Sequence, residues 1–298
     1  MATAAVNPAA RVTFRNVLFA TDFSSSSEAA LPYALAVARA YDSQLYVAHV
    51  IRPDLFQMVP PEEAISLQQS TRRHAEEQMA RLLISGSLRD VPHHVLMAEG
   101  PLWPAALALI EKHQVDLVVV GTHGRTGARK LLLGSAAEEI FRLSPCPVLT
   151  VGPHVAGKAP ERAHIRRLLF ATDFSTQAER ATAYALSLAQ EHEAHITLLH
   201  VVKDTHDLSE RNRAVLKEFF TRRLQGLLPP EAALWCEPEI RVEFGEPAET
   251  ILTNALEGET DLMVLGIRRS GNFSGHLPPA TAYKVVCQSR CPVLTVRG

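Results

Sequence analysis

The chain has 298 residues, which is room for two domains of about 150 residues each. Its hydrophobic fraction of 47% and charged fraction of 21% are typical of a soluble globular protein. A net charge of −2 gives no electrostatic reason to expect DNA, RNA or an acidic membrane as a partner, and no apolar run reaches the roughly 18 residues that span a bilayer.

Strand and helix signals alternate along the first half of the chain. Serines at 24–27 and Glu28 predict the start of a first helix, because Ser is a favourable N-cap and an acidic residue suits the first turn. Continuous Val and Leu runs suit a parallel sheet that helices cover on both faces, which makes the predicted fold class doubly wound α/β. The predicted strands are 17–20, 45–50, 95–98, 117–120 and 148–151, and the later predicted helices are 60–83, 105–113 and 136–143.

The second half of the chain repeats the first. Residues 17–23 read VLFATDF and residues 168–174 read LLFATDF, an offset of 151. Between 16–50 and 167–201, 15 of 35 positions are identical, far more than unrelated segments share. The repeat predicts two copies of one domain.

The end of each copy sets the domain boundaries. PCPVLTV at 145–151 matches RCPVLTV at 290–296 at an offset of 145, so the second copy has lost six residues, which we place between 50 and 100. Gly and Pro residues between the copies indicate a linker. We predict one domain over residues 12–152 and another over 165–298.

A glycine-rich segment follows the fourth strand. It contains Gly121, Gly124 and, after nine intervening residues, Gly134 and Ser135. Glycines allow a backbone to approach a ligand closely, and N–H groups at such a turn and at a helix start favour phosphate oxygens. The spacing fits neither a P-loop nor a dinucleotide-binding G-x-G-x-x-G motif, which argues against a P-loop NTPase and a dinucleotide-dependent oxidoreductase.

This spacing resembles the ATP-binding signature of the universal stress protein family. The strand ending Ala20-Thr21-Asp22 and the closing Cys146-Pro147-Val148 resemble the same family, and the likeness covers both copies. It implies two tandem adenine nucleotide alpha hydrolase-like domains, each with a five-stranded parallel sheet in the order 3-2-1-4-5. Ligands of such sheets bind where the strand order reverses.

The resemblance implies a site for an adenine nucleotide in the first copy, holding ATP, ADP or AMP, with Mg²⁺ as a frequent companion. It implies no catalytic residue and no metal ligand from the protein. The predicted nucleotide-binding residues are Ala20, Thr21, Asp22, Val50, Gly121, Thr122, His123, Gly124, Arg125, Gly134, Ser135 and Ala136.

The second copy departs from the motif. Gly266 survives, but Arg269 stands at the position of the second glycine, and Pro279-Ala280 replaces Gly134-Ser135. Because proline has no N–H and arginine places a side chain where the backbone should meet a ligand, we expect this copy not to bind ATP in the usual way.

Several of these residues have a second interpretation. Ser135 with Glu138 forms a capping-box pattern that needs no ligand. Asp22 and its repeat Asp173 could cap the helices that follow them. His123 has no evident partner base or carboxylate, so we expect it to lie in the loop without a catalytic role.

Three functions compete at this point. The first is a non-enzymatic stress-response module that senses ATP or ADP in its first domain. The second is an adaptor or scaffold in which nucleotide binding is vestigial, and the third is a slow ATPase. The protein partner is not readable from the sequence.

Location and assembly follow from simpler features. The first eleven residues lack a signal-peptide layout and the four cysteines are too few for a disulfide framework, so we expect a cytoplasmic protein. The identical segments PVLTV at 147–151 and 292–296 predict that the two last strands pair as an intramolecular pseudo-dimer, which protects two sheet edges. Whether two chains form a further homodimer stays open.

Overall fold

The computed structural model is an α/β protein of alternating strands and helices. It describes residues 11–53, 60–122, 133–155, 164–203, 208–267 and 280–297. By contacts between Cα atoms these residues divide into two units. The first unit comprises residues 14–153. The second comprises residues 164–297 together with 11–13 and 154–155.

The first unit is a parallel sheet flanked by helices. Its strand order is β3-β2-β1-β4-β5, with β1 in the centre. All five residues of β4 are buried, as expected for a strand covered on both faces. The elements are β1 (Asn16–Ala20), α1 (Ser25–Tyr41), β2 (Gln44–Ile51), α2 (Pro61–Ile84), β3 (His93–Glu99), α3 (Leu102–Lys112), β4 (Leu117–Gly121), α4 (Ser135–Leu143) and β5 (Val148–Val151).

The second unit repeats this topology. Its strand order, β8-β7-β6-β9-β10, is the same once each strand is matched to its repeat, and all its pairs are parallel. The predicted doubly wound fold and the order 3-2-1-4-5 are therefore confirmed for each unit. The elements are β6 (Arg167–Ala171), α5 (Thr176–His192), β7 (His195–Lys203), α6 (Glu210–Gln225), β8 (Glu237–Gly245), α7 (Pro247–Glu257), β9 (Leu262–Ile267), α8 (Ala280–Gln288) and β10 (Val293–Arg297).

Local sequence explains where the first helix starts and stops. Ser24 is the N-cap of α1, and its side chain accepts a hydrogen bond from the backbone N–H of Ser27 at 3.3 Å. Asp42 ends the helix in the left-handed region, with φ of 51°. The face of α1 between these ends is buried and apolar, which seats it on the sheet.

The two units differ in the helix between their second and third strands. This helix has 24 residues in the first unit (α2) and 16 in the second (α6). The strand registers locate the difference in length, since His49 of β2 pairs with Met97 of β3, and their counterparts His200 and Val242, at offsets of 151 and 145, pair in the second unit. The six missing residues therefore lie between these two strands, within the interval predicted from the repeat.

The described part of the chain contains no helix that is long and apolar enough to cross a membrane.

Candidate functional site

The first unit has a cavity of about 210 Å³ at the carboxyl ends of β1, β2 and β4. This is the point where the strand order reverses from β2-β1 to β4, the place where open α/β sheets bind ligands. Helix α3 and the first turns of α4 complete its walls. The lining residues are Leu18, Ala20, Thr21, Asp22, Ser27, Ala48, His49, Val50, Arg52, Leu102, Ala106, Leu109, Val120, Gly121, Gly134, Ser135, Ala136, Ala137 and Ile140.

Most of the residues predicted from the sequence lie together in this cavity. The lining includes Ala20, Thr21, Asp22, Val50, Gly121, Gly134, Ser135 and Ala136. Thr122 is fully buried and is not among the lining residues. His123, Gly124 and Arg125 lie outside the described residues, and their role stays a prediction.

Asp22 belongs to a turn that the second unit repeats. Its Oδ1 accepts a hydrogen bond from the N–H of Ser24 at 3.0 Å, and Asp173 accepts one from Ser175 at the same distance. This bond forms an Asx turn that leads into the helix. The interpretation that the two aspartates cap these helices was wrong, because the N-cap residues are Ser24 and Ser175. Asp22 also lines the cavity, so a contact between its carboxylate and a ligand stays a prediction.

A histidine at the end of the second strand fixes the same turn in each unit. The Nδ1 atom of His49 lies 2.7 Å from the carbonyl oxygen of Thr21, and Nδ1 of His200 lies 2.8 Å from that of Thr172. Both contacts join the turn after the first strand to the second strand. This repeated bond supports a structural role for the two histidines.

Gly121 is explained by packing. A Cβ added at this position would lie 2.3 Å from the backbone oxygen of Ser26 and 2.9 Å from the backbone nitrogen of Ser27. The end of β4 therefore meets the first turn of α1 backbone to backbone, and only glycine fits. This close approach needs no ligand, although Gly121 also lines the cavity.

Gly134 joins the two ends of the glycine-rich segment. Its N–H donates to the carbonyl oxygen of Thr122 at 2.6 Å, so the chain returns to the end of β4 before α4 begins. This N–H is already used within the protein. The proline at the equivalent position 279 has no N–H and cannot form the same closure.

The capping-box interpretation of Ser135 was wrong. Gly134, with φ of −60° and ψ of 147°, is the N-cap of α4, and Ser135 is the first helical residue; among the described residues no side chain caps the helix. The Glu138 carboxylate instead pairs with Arg142 one turn on, at 3.8 Å. The amide groups of the first turn, at Ser135, Ala136 and Ala137, have no acceptor within the helix, and all three residues line the cavity. Such a helix start favours an anion.

Sequence reasoning missed the apolar wall of the cavity and one charge. Arg52 brings a guanidinium into the lining just beyond β2. The wall residues occupy positions that also suit an ordinary core, so their sequence pattern carries no separate signal for a cavity. They are Leu18, Ala48, Leu102, Ala106, Leu109, Val120 and Ile140.

Two of the equivalent positions in the second unit carry much larger side chains. Leu199 stands where the first unit has Ala48, and Ile251 stands where it has Ala106. Leu199 is fully buried and Ile251 is 5% exposed. Asn254 replaces Leu109, and its Oδ1 accepts a hydrogen bond from Arg241 at 3.1 Å. At the point where the strand order of this sheet reverses, two large apolar side chains and a hydrogen-bonded asparagine therefore replace two alanines and a leucine.

Metal-binding chemistry is sparse in the described ranges. They contain no group of three or more His, Cys, Asp or Glu residues that could hold a metal ion. All four cysteines are described and none forms a disulfide bond; burial raises the pKa of Cys291 to about 11, which keeps its thiol protonated.

Comparison with known proteins gives the same family for both halves. The model of the universal stress protein family matches residues 13–152 and 164–297. A universal stress protein of Mycolicibacterium smegmatis is 29% identical over 293 residues, which is 94% of this chain and 96% of that protein. Another, from Methanocaldococcus jannaschii, is 30% identical over 139 residues, covering 46% of this chain and 82% of that protein.

Solved structures support the fold over nearly the whole chain. A universal stress protein of Archaeoglobus fulgidus superimposes with a TM-score of 0.67 at 21% identity, covering 95% of this chain and 98% of that one. A second, from Pseudomonas aeruginosa, gives a TM-score of 0.59 at 16% identity, covering 95% and 93%. With its repeated sheet and its two family matches, the chain belongs to the universal stress protein family, as a member with two tandem domains.

Proposed function

We propose that this protein binds one adenine nucleotide in its first unit and acts as a non-enzymatic regulatory or sensing module of the stress response. The observation that carries this proposal is the cavity at the ends of β1, β2 and β4, because eight of the predicted binding residues line it. The second unit has an architectural role and holds no nucleotide.

The cavity offers an apolar region and a polar region, as a nucleotide requires. Leu102 and Leu109 of α3 and Val50 of β2 supply apolar surface for a base. The uncapped start of α4 supplies N–H groups and a positive dipole end for phosphate oxygens. The guanidinium of Arg52 adds positive charge to the same lining.

Mg²⁺ would come with the nucleotide. Protein sites for this ion commonly supply one or two carboxylates, while phosphates and water complete its shell. Asp22 is the carboxylate among the described lining residues, and it fits that limited role. We therefore expect Mg²⁺ to enter with the phosphates and to have little affinity for the empty protein.

Regulation requires that the nucleotide changes a surface that another molecule recognises. A ligand shifts such an equilibrium only by its difference in affinity for the two states. We expect a nucleotide in the first domain to bias a surface at the glycine-rich segment 121–135, of which residues 123–132 lie outside the described residues.

Three predictions about assembly and location remain predictions: the pairing of the last strands β5 and β10, a further homodimer, and a cytoplasmic location. The four cysteines form no disulfide bond, which supports the cytoplasmic location.

The test is to purify the protein, release its ligand by denaturation and identify the ligand by chromatography, followed by thermal melting with and without Mg-ATP. We expect a copurified adenine nucleotide, or a rise in melting temperature with Mg-ATP, because a ligand that binds only the folded state stabilises it. No nucleotide and no shift would refute the proposal.

A matched variant separates sensing from a scaffold role. Gly124→Arg copies residue 269 of the second unit into the first. We expect it to lose the Mg-ATP shift and the stress phenotype together. Loss of the shift with an unchanged phenotype and unchanged partner binding would favour the scaffold.

A further inference from the structure

The two units differ at the wall of the cavity as well as in the glycine-rich segment. Ala48 of β2 and Ala106 of α3 are both 4% exposed and both line the cavity of the first unit. Helix α3 packs against β2, so these two methyl groups belong to one wall. In the second unit, helix α7 packs against β7 in the same arrangement, with Leu199 and Ile251 at the corresponding positions.

The exchange of residues adds bulk where the cavity lies. Each of the two replacements adds three carbon atoms, and Leu199 is completely inaccessible to solvent. Three other apolar positions of the wall change by one carbon atom each: Val120 corresponds to Leu265, Ile140 to Val285 and Leu102 to Pro247. The largest gains in side-chain volume are therefore at the two alanine positions.

We propose that Ala48 and Ala106 are the specificity-determining residues that admit the base of the nucleotide to the first unit. Leu199 and Ile251 exclude a base from the second unit independently of its altered loop. This proposal rests on the proposed function, since it concerns the same site. It adds that two separate changes prevent nucleotide binding in the second unit. The altered glycine motif removes the phosphate site, and Leu199 and Ile251 fill the space for the base.

The polar neighbours of Ile251 also disfavour a base in the second unit. Asn254, one turn further along α7, is held by Arg241, which also donates to Glu239 at 2.8 Å. An apolar ring face gains little from such a neighbour, because the hydrogen-bonded polar groups would lose solvent or partners on contact. In the first unit the position of Asn254 is Leu109, an apolar side chain.

The first experiment fills the cavity. The double variant Ala48→Leu with Ala106→Ile copies the second unit, and Ala108→Ile, on the exposed face of α3, is the matched control. Isothermal titration with adenosine and with Mg-ATP should show roughly 100-fold weaker binding or none for the double variant. The reason is that the base of the ligand would stay in water instead of being buried in the cavity. The control should bind as the wild type does.

Thermal melting without ligand shows whether the double variant is folded. We expect a melting temperature equal to the wild type's or higher, because the added carbons enter existing space. If the double variant melts earlier, the smaller changes Ala48→Val and Ala106→Val take its place and should each weaken binding measurably.

The second experiment restores the loop of the second unit. The triple variant Arg269→Gly, Pro279→Gly and Ala280→Ser recreates the glycine motif there. We expect native mass spectrometry to show no second ATP on the full chain, because the base end stays closed. Two ATP molecules per chain in this variant would overturn the inference, as would undiminished ATP binding by the filled variant. If the wild type binds no ATP at all, the proposed function itself fails.

Discussion

The two units of this chain share their strand order and the hydrogen bonds around the central strand, but they differ in the side chains at the carboxyl ends of the strands. At the start of the central strand, Asp116 accepts a hydrogen bond from the N–H of Arg15 at 2.7 Å, and its repeat Asp261 accepts one from Arg166 at 2.8 Å. The Asx turn and the histidine contact after that strand are also repeated. The hydrogen bonds at both ends of the central strand are thus common to both units.

The differences lie at the carboxyl ends of the strands. The first unit has small side chains and an uncapped helix start around a cavity, whereas the second has Leu199 and Ile251 at the matching wall. The proposed loss of the nucleotide site in the second unit would therefore require no change of strand order. The comparison teaches that family membership applies to both halves, while ligand binding must be argued for each half from its own wall and loop.

The largest effect that tests this comparison is expected from Leu199→Ala. A fully buried leucine cut back to alanine costs about 2–5 kcal/mol of unfolding free energy, because the lost burial and the new cavity both count. The reverse change in the first unit, Ala48→Leu, fills existing space, so we expect it to leave the unfolding free energy unchanged or to raise it. Chemical denaturation measures both. Equal losses would mean that the first unit has no room at Ala48.

Gly121→Ala is expected to have the next largest effect. The added Cβ would overlap the backbone of Ser26 and Ser27, so α1 must shift, at a cost of about 1–3 kcal/mol. The loss should be present without any ligand. Gly226→Ala is the control, since its Cβ would meet nothing closer than 3.5 Å and the change should be neutral or stabilising. If the Gly121→Ala protein had the stability of the wild type, packing would not explain this glycine, and ligand binding alone would.

The buried histidine of the second unit predicts a pH dependence. Burial lowers the pKa of His200 below its ordinary value of 6.5, with a further contribution from the positive charge of Arg223. The unfolded chain then binds a proton more readily than the folded one, so this contribution to stability is present above about pH 6.5 and is lost as the pH falls below it.

Replacement of this histidine measures that contribution. The loss of unfolding free energy between pH 7.5 and pH 5.5 should be smaller in His200→Gln than in the wild type. It should not vanish, because burial also lowers the pKa of His113 and His192. An identical loss in the two proteins would show that His200 does not contribute.

The smallest effect is expected from a surface ion pair that only the second unit carries. Arg167 lies 2.9 Å from Glu259, and the two side chains are 51% and 79% exposed. Their counterparts Asn16 and Gln114 are joined by an uncharged hydrogen bond of 3.2 Å. Glu259→Ala should change the unfolding free energy by less than about 1 kcal/mol, because solvent and salt screen exposed pairs. A larger change in 0.15 M salt would be unexpected.

Most of the fold could be predicted from the sequence. Short Val and Leu runs located the strands to within about two residues, because continuous apolar segments in a repeated pattern have few alternatives to a parallel sheet. The third helix begins at Leu102, three residues before its predicted start. The reason is that Pro104 is tolerated in a first turn, where its missing N–H would have no partner in the helix.

The site could be predicted only in part. Polar and glycine positions such as Asp22 and Gly134 are conspicuous in the sequence, and the structure brings them to one cavity. The wall was missed because a buried alanine beside a cavity and a buried alanine in a packed core look alike in a sequence. The two other outcomes, Gly121 held by packing and Gly134 donating to Thr122, depend on contacts between segments that only coordinates reveal.

The number of nucleotides per chain tests the central claim most directly. Native mass spectrometry of the full chain with saturating Mg-ATP should show one bound nucleotide. The Ala48→Leu, Ala106→Ile variant should show none, since it closes the first unit as the second is closed. Two nucleotides on the wild type, or one that persists in this variant, would contradict the account.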